Sequence, residues 1–301
     1  MISRDDALTD LARRANESND YASHSGEFGS TCIPSLTLVT SERATSIEPT
    51  CYEPVICLIL QGSKEVEFGS HRFRASRGQS IIVSHELPIR SRIVDASREQ
   101  PYSAVVVRLD VGTLRSLADD VKGAPADNPD HVALEVRTAD PQVVDVVHRL
   151  VALAGTPADA DVLAPLVLTE LHYRLLQADH GSMLRRLLSR DSHASRIEGA
   201  IARIRADLSE PVSIPQLAHV ATMSPSTFHQ HFKEVTGTTP LQYQKSLRLL
   251  EARRLLRGEG RSVTEAAFDV GYRSSTQFSR EYLRTFGVSP QHDRPSRAVA
   301  S

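Results

Sequence analysis

Two stretches in the C-terminal third of this 301-residue chain repeat one pattern of residue types. The equivalent residues are Ser224 and Ser274, Phe228 and Phe278, Phe232 and Tyr282, Gly237 and Gly287, and Pro240 and Pro290. The members of each pair are fifty positions apart, whereas Ala218 and Ala267 are forty-nine apart, so the second copy has one extra residue in its turn. A duplicated pattern at constant spacing constrains the fold more than composition does, because chance rarely reproduces several matched positions.

Each copy predicts a short helix, a tight turn and a second helix. Ser224 and Ser274 are favourable N-caps for the second helices, and Gly271 suits a positive φ in the turn of the second copy. The aromatic residues four positions apart share one helix face, so they predict a buried face and leave the opposite face polar and exposed. A helix about 10–12 Å wide fits the major groove of DNA, which is about 12 Å wide.

The segment between the copies, residues 240–257, consists largely of helix formers and predicts a rigid connector. A helix of about 18 residues is about 27 Å long. With the offsets of the two second helices added, this length suits two reading helices that lie one DNA turn, about 34 Å, apart. The spacing therefore predicts contacts with two successive major grooves on one face of DNA.

Charge is distributed unevenly along the chain, although the net charge is only -2. From His193 onward there are 15 Lys and Arg against 10 Asp and Glu, and the remaining residues contain 20 and 27. A basic C-terminal third joined to an acidic body indicates that the two parts have different partners. Ordinary variation in surface charge would explain this difference equally well.

Residues 36–109 are typical of a sandwich or small barrel of short strands. Strands are predicted over residues 36–40, 55–60, 64–68, 71–74, 80–83, 89–94 and 103–109, with turn residues between them. After Val111 the apolar spacing becomes helical, and it predicts helices over residues 143–154, 162–176 and 183–188. The first two of these helices either cover the barrel or pair with a second copy of the chain.

Composition excludes several other classes of protein. Hydrophobic residues make up 40% of the chain, and the longest strictly apolar run, residues 55–60, is much shorter than the about 20 residues of a membrane-spanning helix. The N-terminus has no apolar segment of a secretory signal. Three cysteines without a C-x-x-C pair exclude a disulfide framework and a cysteine-rich zinc site, and they favour a reducing compartment such as the cytoplasm.

The C-terminal third resembles the double helix-turn-helix domain of the AraC/XylS family of transcription regulators. The resemblance covers residues 212–290, and its most specific part is Ala267-x-x-Val270-Gly271-Tyr272 followed by Phe286-Gly287-Val288-Ser289-Pro290. Residues 36–110 resemble the cupin-like N-terminal domain of such regulators, through segments such as Tyr52-Glu53-Pro54 and Leu60-Gln61-Gly62-Ser63-Lys64.

The resemblance implies an α+β fold. An N-terminal cupin-like β-barrel with flanking helices is followed by an all-α domain of two helix-turn-helix motifs joined by a long helix. The expected division is an N-terminal arm or helix at 1–30, a regulatory domain with a helical extension at 31–190, and a DNA-binding domain at 191–301.

The implied function is that of a sequence-specific DNA-binding transcription regulator, not an enzyme. Its expected partners are double-stranded DNA, a small-molecule effector in the barrel, RNA polymerase and, in a homodimer, a second copy of the chain. We expect an activator, although the sequence itself does not distinguish activation from repression, and we expect no cofactor and no membrane association. Effector-binding residues are not identifiable from the sequence.

Matching the family's reading positions to this sequence assigns side chains to DNA. The candidates for base contacts are Ser226, His229, Gln230, Ser275, Thr276, Ser279 and Arg280. The candidates for phosphate contacts are Lys233, Arg284 and the capped helix starts at Ser224 and Ser274. Arg253 and Arg254 of the connector are expected to be surface charges.

Three residues depart from the family's usual pattern. Ala266 replaces an isoleucine, so its helix packs less volume, and Leu283 replaces a lysine, so the second motif lacks one phosphate-binding charge. Asp293 stands where a tyrosine often closes the domain, whereas Tyr243 fills the equivalent place after the first motif.

Two alternatives remain open at this point. Cys32, Cys51 and Cys57 could form a sensor of electrophiles or of redox state, with Cys57 the least suitable because it lies in an apolar run. A metal-dependent cupin enzyme fused to a DNA-binding tail would need ligands such as His71 and His85, but the predicted barrel, residues 36–109, contains no H-x-H pair, so we expect no metal. No G-x-S-x-G or similar pattern identifies catalytic residues.

Overall fold

A computed structural model describes residues 3–20, 29–118, 121, 133–178, 181–189 and 192–294. The strands are β1 Gly29–Ser30, β2 Leu36–Ser41, β3 Glu48–Tyr52, β4 Val55–Gln61, β5 Ser63–Phe68, β6 His71–Ser76, β7 Gln79–Val83, β8 Leu87–Asp95, β9 Tyr102–Arg108 and β10 Leu134–Thr138. The helices are α1 Arg4–Asp20, α2 Val111–Ala118, α3 Pro141–Leu153, α4 Pro157–Gln177, α5 Gly181–Leu188, α6 His193–Ala206, α7 Ile214–Val220, α8 Pro225–Thr236, α9 Pro240–Gly258, α10 Val263–Asp269 and α11 Ser275–Phe286.

The strands form two antiparallel sheets that face each other. The larger sheet has the order β1-β2-β9-β4-β7-β10, and the smaller one has the order β3-β8-β5-β6. The seven strands that the sequence predicted are all present, and β5 and β6 form the expected hairpin. The cupin-like fold is thus confirmed as a sandwich of two sheets in which the described strands do not close into one continuous barrel.

Three strands were not predicted from the sequence: β1, β3 and β10. β3 contains Pro49, which cannot donate a backbone hydrogen bond, and the strand is tolerated because it lies at the edge of the smaller sheet. β10 pairs with β7, which is distant in sequence, and Leu134 lies opposite Val83. Non-local pairing of this kind is invisible to a reading of local periodicity.

Helices cover the outer face of the larger sheet. In α1, Leu8 and Leu11 are buried in a core that also contains Val143 and Leu150 of α3. The predicted amphipathic helices are confirmed, and α3 begins as Asp140 accepts a hydrogen bond from the backbone of Gln142. One stripe of α4 remains apolar and exposed, with Val162 67% and Leu166 65% accessible.

The C-terminal helices are divided between two cores. Phe228 and Phe232 of α8 and Tyr243 of α9 belong to a core that continues into the interior of the sandwich. Phe278 and Tyr282 of α11 belong to a smaller, separate core. α9 contributes to both cores and therefore joins the two helix-turn-helix units rigidly. In the described ranges, no helix has the length and apolarity needed to cross a membrane.

Candidate functional site

The two repeated units have the same backbone geometry in their turns. In the first unit Thr222 has φ 52°, and the amides of Thr222 and Met223 donate to the carbonyls of His219 and Ala218 at 3.0 and 2.9 Å. In the second unit the corresponding glycine, Gly271, has φ 85°. The turn of each unit thus uses one left-handed residue, and the extra residue of the second copy follows it.

The second unit shows the same pair of turn hydrogen bonds. The amides of Gly271 and Tyr272 donate to the carbonyls of Phe268 and Ala267, each at 2.9 Å. A Cβ atom at Gly271 would come within 2.5 Å of the Ser209 carbonyl oxygen, so this turn needs glycine for space as well as for its φ. The prediction of a glycine turn is confirmed.

Both second helices begin and end in matched ways. Ser224 accepts a hydrogen bond from the amide of Thr227, and Ser274 accepts one from the amide of Gln277, each at 3.3 Å. Gly237 and Gly287 end the helices with φ of 69° and 72°. Because these caps lie at equivalent positions, α8 and α11 have the same length. Each residue on the exposed face of one helix therefore has a counterpart on the other.

The exposed faces of α8 and α11 carry the residues predicted to contact bases. Ser226, His229, Gln230, Thr276 and Arg280 are exposed, and Ser275 and Ser279 are partly exposed. Among the described residues, the side chains of His229, Thr276 and Arg280 form no hydrogen bond, so their polar atoms are available to a partner.

Other reading candidates already have partners within their own helix. The amide of Gln230 donates to Glu234 at 2.9 Å, and the hydroxyl of Ser279 donates to the carbonyl of Ser275 at 2.8 Å. Ser226 lies 3.1 Å from the hydroxyl of the cap residue Ser224. The contact with Glu234 uses one N–H of the Gln230 amide, and the second N–H and the carbonyl oxygen are left for another partner.

The phosphate candidates are also accessible. Lys233, Arg284 and the cap residues Ser224 and Ser274 are exposed. A capped helix N-terminus presents backbone amides and a partial positive charge, which together favour an anionic oxygen. These positions lie beside the polar faces of their helices, as a contact with the DNA backbone requires.

The connector helix α9 matches the predicted segment and is longer by one residue. Arg248 of α9 donates to the carbonyl of Leu208 at 2.6 Å, and Lys245 forms an ion pair with Glu281 of α11 at 2.8 Å. These contacts hold α11 and the segment after α6 against α9.

A cavity of about 700 Å³ lies between the two sheets and reaches α9. Its lining combines apolar residues, among them Val39, Val55 and Val106, with five cations and two carboxylates. The cations are Lys64, Arg92, Arg108, Arg253 and Arg257, and the carboxylates are Glu48 and Glu53. This volume is that of a small-molecule site, which typically measures about 300–1,000 Å³.

Arg253 differs from its expected role as a surface charge. Its side chain is 13% exposed and donates to Asp293 at 3.0 Å and to Glu48 at 3.1 Å. Its guanidinium also lies 4.6 Å from the ring centroid of Phe286. The expectation of a surface charge is wrong because the partners of Arg253 are distant in sequence. Arg254, which pairs with Glu251 on the same helix, is exposed as expected.

Asp293, the residue that replaces the family's tyrosine, is the centre of this cluster. Its side chain is 6% exposed, and it accepts from Arg257 at 2.6 Å and from the hydroxyl of Tyr282 at 2.5 Å. Burial raises the pKa of Asp293, but hydrogen bonds from Arg257 and Tyr282 outweigh it and lower the pKa overall. The carboxylate is therefore ionised at neutral pH and joins α9 to α11.

A second polar cluster joins the sandwich to α6 and α9, the helices on either side of the first helix-turn-helix unit. The carbonyl of Glu86 accepts from the hydroxyl of Tyr243 at 2.8 Å, and the Glu86 carboxylate pairs with Arg205 of α6. Burial, followed by the nearby charge of Glu86, raises the pKa of Glu198 to about 7. No signal in the local sequence identified this cluster, because its members come from separate elements.

The thiols provide little support for a reactive site. Burial is the main factor that raises the pKa of both Cys51 and Cys57, which disfavours their thiolate forms. Cys51 was one of the two preferred sensor candidates, but it lies within β3 and donates to Glu86 at 3.3 Å. Cys32 is exposed.

The two histidines considered as metal ligands have different surroundings. His71 is exposed on β6, whereas His85 is buried and contacts the carbonyl of Ala194 at 3.1 Å. Burial lowers the pKa of His85 to about 4, so its ring is neutral at pH 7. Within the described ranges, no three potential ligands come together to hold a metal ion.

Comparisons with known proteins agree with this architecture. A family model described as the AraC-type transcriptional regulator N-terminus matches residues 32–183, and one described as a helix-turn-helix domain matches residues 217–295. The first model alone covers half of the chain, and the chain belongs to the AraC-type transcriptional regulators. The interpretation as a transcription regulator is thereby confirmed.

Two relatives and one solved structure illustrate the range of similarity. The transcriptional activator RhaS of Escherichia fergusonii is 31% identical over 175 residues, which are 56% of this chain and 59% of that protein. RhaS of an Enterobacter species is 36% identical over 107 residues, 36% of this chain and 38% of that protein. The chain thus covers less than two thirds of either relative's length. ToxT from Vibrio cholerae shares the fold, with a TM-score of 0.57, 11% identity, and coverage of 86% of this chain and 96% of that chain.

Proposed function

We propose that this regulator binds DNA sequence-specifically and inserts α8 and α11 into successive major grooves. The observation that carries the proposal is the equivalence of the two units, with their matched turns and caps and their exposed polar faces. α9, which is rigid and about 28 Å long, supports a spacing near one DNA turn.

Within this proposal, each candidate residue has a chemical role. Gln230 suits adenine and Arg280 suits guanine, because each can form two hydrogen bonds to the major-groove edge of that base. The other base-contact candidates have shorter side chains and make polar contacts with bases: Ser226, His229, Ser275, Thr276 and Ser279. Lys233, Arg284 and the helix starts at Ser224 and Ser274 bind phosphates and set the register of the protein on DNA.

The cavity between the sheets is the proposed site of a small-molecule effector. Its apolar wall suits an apolar body, and its excess of cations suits a ligand with an anionic group. Because the cavity reaches Arg253 and Arg257 of α9, a ligand there contacts both the regulatory domain at 31–190 and the DNA-binding domain at 191–301.

The proposal also covers the location of the protein, its direction of control and its protein partners. The protein acts in the cytoplasm as an activator, contacts RNA polymerase when bound near a promoter, and forms a homodimer through the exposed stripe of α4. The name of the RhaS relatives, transcriptional activators, supports the direction of control.

Genome-wide mapping of the DNA bound by the full-length protein tests the proposal. We expect recovered fragments to share a motif with two blocks about 10 base pairs apart, and the purified protein to prefer them over scrambled fragments by at least about a thousandfold. Equal binding to scrambled fragments of the same length would overturn sequence-specific recognition.

A further inference from the structure

The boundary between the cavity and the second helix-turn-helix unit contains a shared arginine. Arg253 lines the cavity and at the same time binds Asp293, whose carboxylate accepts from Tyr282 of α11. Its guanidinium also lies against Phe286 in the last turn of α11. One side chain therefore contacts both the ligand space and the proposed reading helix.

The partners of Arg253 are held with unequal strength. The Asp293 side chain is 6% exposed, whereas that of Glu48, on the cavity side, is 56% exposed. Ion pairs with exposed carboxylates are weak because water competes for both charges. Glu48 is thus the partner that a second anion replaces most easily, and such an anion reaches Arg253 from inside the cavity.

We propose that Arg253 couples the cavity to α11: an anionic group bound in the cavity takes the place of Glu48 and draws Arg253 toward the cavity, away from Asp293 and Phe286. Two guanidinium groups, of Arg253 and Arg257, share the single carboxylate of Asp293, so the withdrawal of one leaves Asp293 paired with the other. The last turn of α11 then loses its contact between Phe286 and Arg253, and Asp293, which holds Tyr282, keeps only one of its two ion pairs with α9. This inference rests on the proposed effector site, and it assigns to Arg253 and Asp293 a positioning role for α11.

The binding half of the inference is tested with anilinonaphthalene sulfonate, a fluorescent probe that has an apolar body and one anionic group. We expect the wild-type protein to bind it, and Arg253→Gln to bind it about tenfold more weakly, the effect of one charge-assisted hydrogen bond. Glu48→Gln alters an exposed side chain without endangering the fold, and it should bind about threefold more tightly because a competing carboxylate is removed.

Arg254→Gln is the matched control, since Arg254 is the next arginine of α9, pairs with Glu251 and does not line the cavity. Its affinity for the probe should equal that of the wild type. Equal affinities for all four proteins, or no binding to the wild type, would overturn the inference.

The coupling half is tested by amide hydrogen exchange of α11 with and without the probe. We expect the probe to accelerate exchange in the last turns of α11 in the wild type and in Arg254→Gln, and to have little effect in Asp293→Asn, where the link is already broken. Probe binding without any response in α11 would overturn the coupling but leave the effector site standing. Coupling in a protein that shows no sequence-specific DNA binding would instead overturn the proposed function alone.

Discussion

Thr222 and Gly271 occupy equivalent turn positions with positive φ, but only one of them is a glycine. A left-handed conformation costs a residue with a branched Cβ on the order of 1–3 kcal/mol, and the surrounding turn must compensate for it. The first unit therefore contains a strained residue that the second unit avoids. The positive φ of Gly271 could be predicted from its residue type. That of Thr222 could not, because threonine rarely adopts this conformation in a turn.

The Gly271 position gives a prediction on stability. Gly271→Ala should lower the free energy of unfolding by more than about 1 kcal/mol, because the added Cβ meets the Ser209 carbonyl at 2.5 Å in a left-handed backbone. Gly258→Ala, at a helical glycine with nothing within 4 Å of the added Cβ, should instead be neutral or stabilising. Urea denaturation of both variants checks the contrast, and equal effects would contradict it.

Glu198 gives a prediction on pH dependence. The folded protein binds a proton at Glu198 more tightly than the unfolded chain, since burial raises its pKa from 4.5 to about 7. The stability contributed by this proton is complete below pH 4.5 and is lost as the pH rises through 7. Glu198→Gln should therefore stabilise the protein by about 2–3 kcal/mol at pH 8, with most of the difference gone near pH 5.

Denaturation curves of Glu198→Gln and the wild type at several pH values measure this difference. Glu99→Gln, in an exposed loop, is the control and should show no such trend. A Glu198→Gln effect that is the same at pH 5 and pH 8 would show that the buried carboxyl group does not titrate in this range.

At the scale of single elements, the sequence predicted the helices and strands that are marked by patterns within a short stretch of the chain. The helix-turn-helix units were identified by their caps and aromatic pairs, and α9 by a run of helix formers between two repeated motifs. β3 was missed because Pro49 argues against a strand unless the strand lies at a sheet edge, and an edge position depends on the whole sheet. The contacts of Arg253 and Glu86 could not be predicted for the same reason, because their partners lie on other elements.

The exposed face of α11 gives a prediction on recognition. Arg280→Ala should weaken binding to the preferred DNA fragment by about 1–3 kcal/mol and relax the preference at one base pair. Arg284→Ala, on the same helix, should weaken binding to all sequences similarly and reduce its salt dependence. Competition titrations with single-base variants distinguish the two, and uniform weakening by Arg280→Ala would assign Arg280 to a phosphate.

At the scale of the whole molecule, the two reading helices are not equally attached. α8 shares a core with the sandwich, whereas α11 belongs to a separate core. Arg253 of α9 lies against Phe286 of α11 and pairs with Glu48 of β3, so this link between α11 and the sandwich is polar. A ligand in the cavity can therefore shift α11 more readily than α8. Under the proposed function, an effector would then control DNA binding through the contact that α11 makes with DNA.

The exposed stripe of α4 gives a prediction on assembly. Val162→Glu together with Leu166→Glu should shift the protein from dimer to monomer in sedimentation experiments, because charges would enter an apolar contact. Both side chains are well exposed in the single chain, so folding should be unaffected, as circular dichroism would show. An unchanged dimer would place the interface elsewhere, and a monomeric wild type would exclude this role of α4.

Hydroxyl-radical footprinting of the protein on its preferred DNA fragment tests the central claim most directly. If α8 and α11 read successive grooves, each bound copy of the chain should protect two segments on one face of the duplex, about 10–10.5 base pairs apart, and Arg280→Ala should weaken only one segment of each pair. A single protected segment, or two segments on opposite faces, would contradict this account.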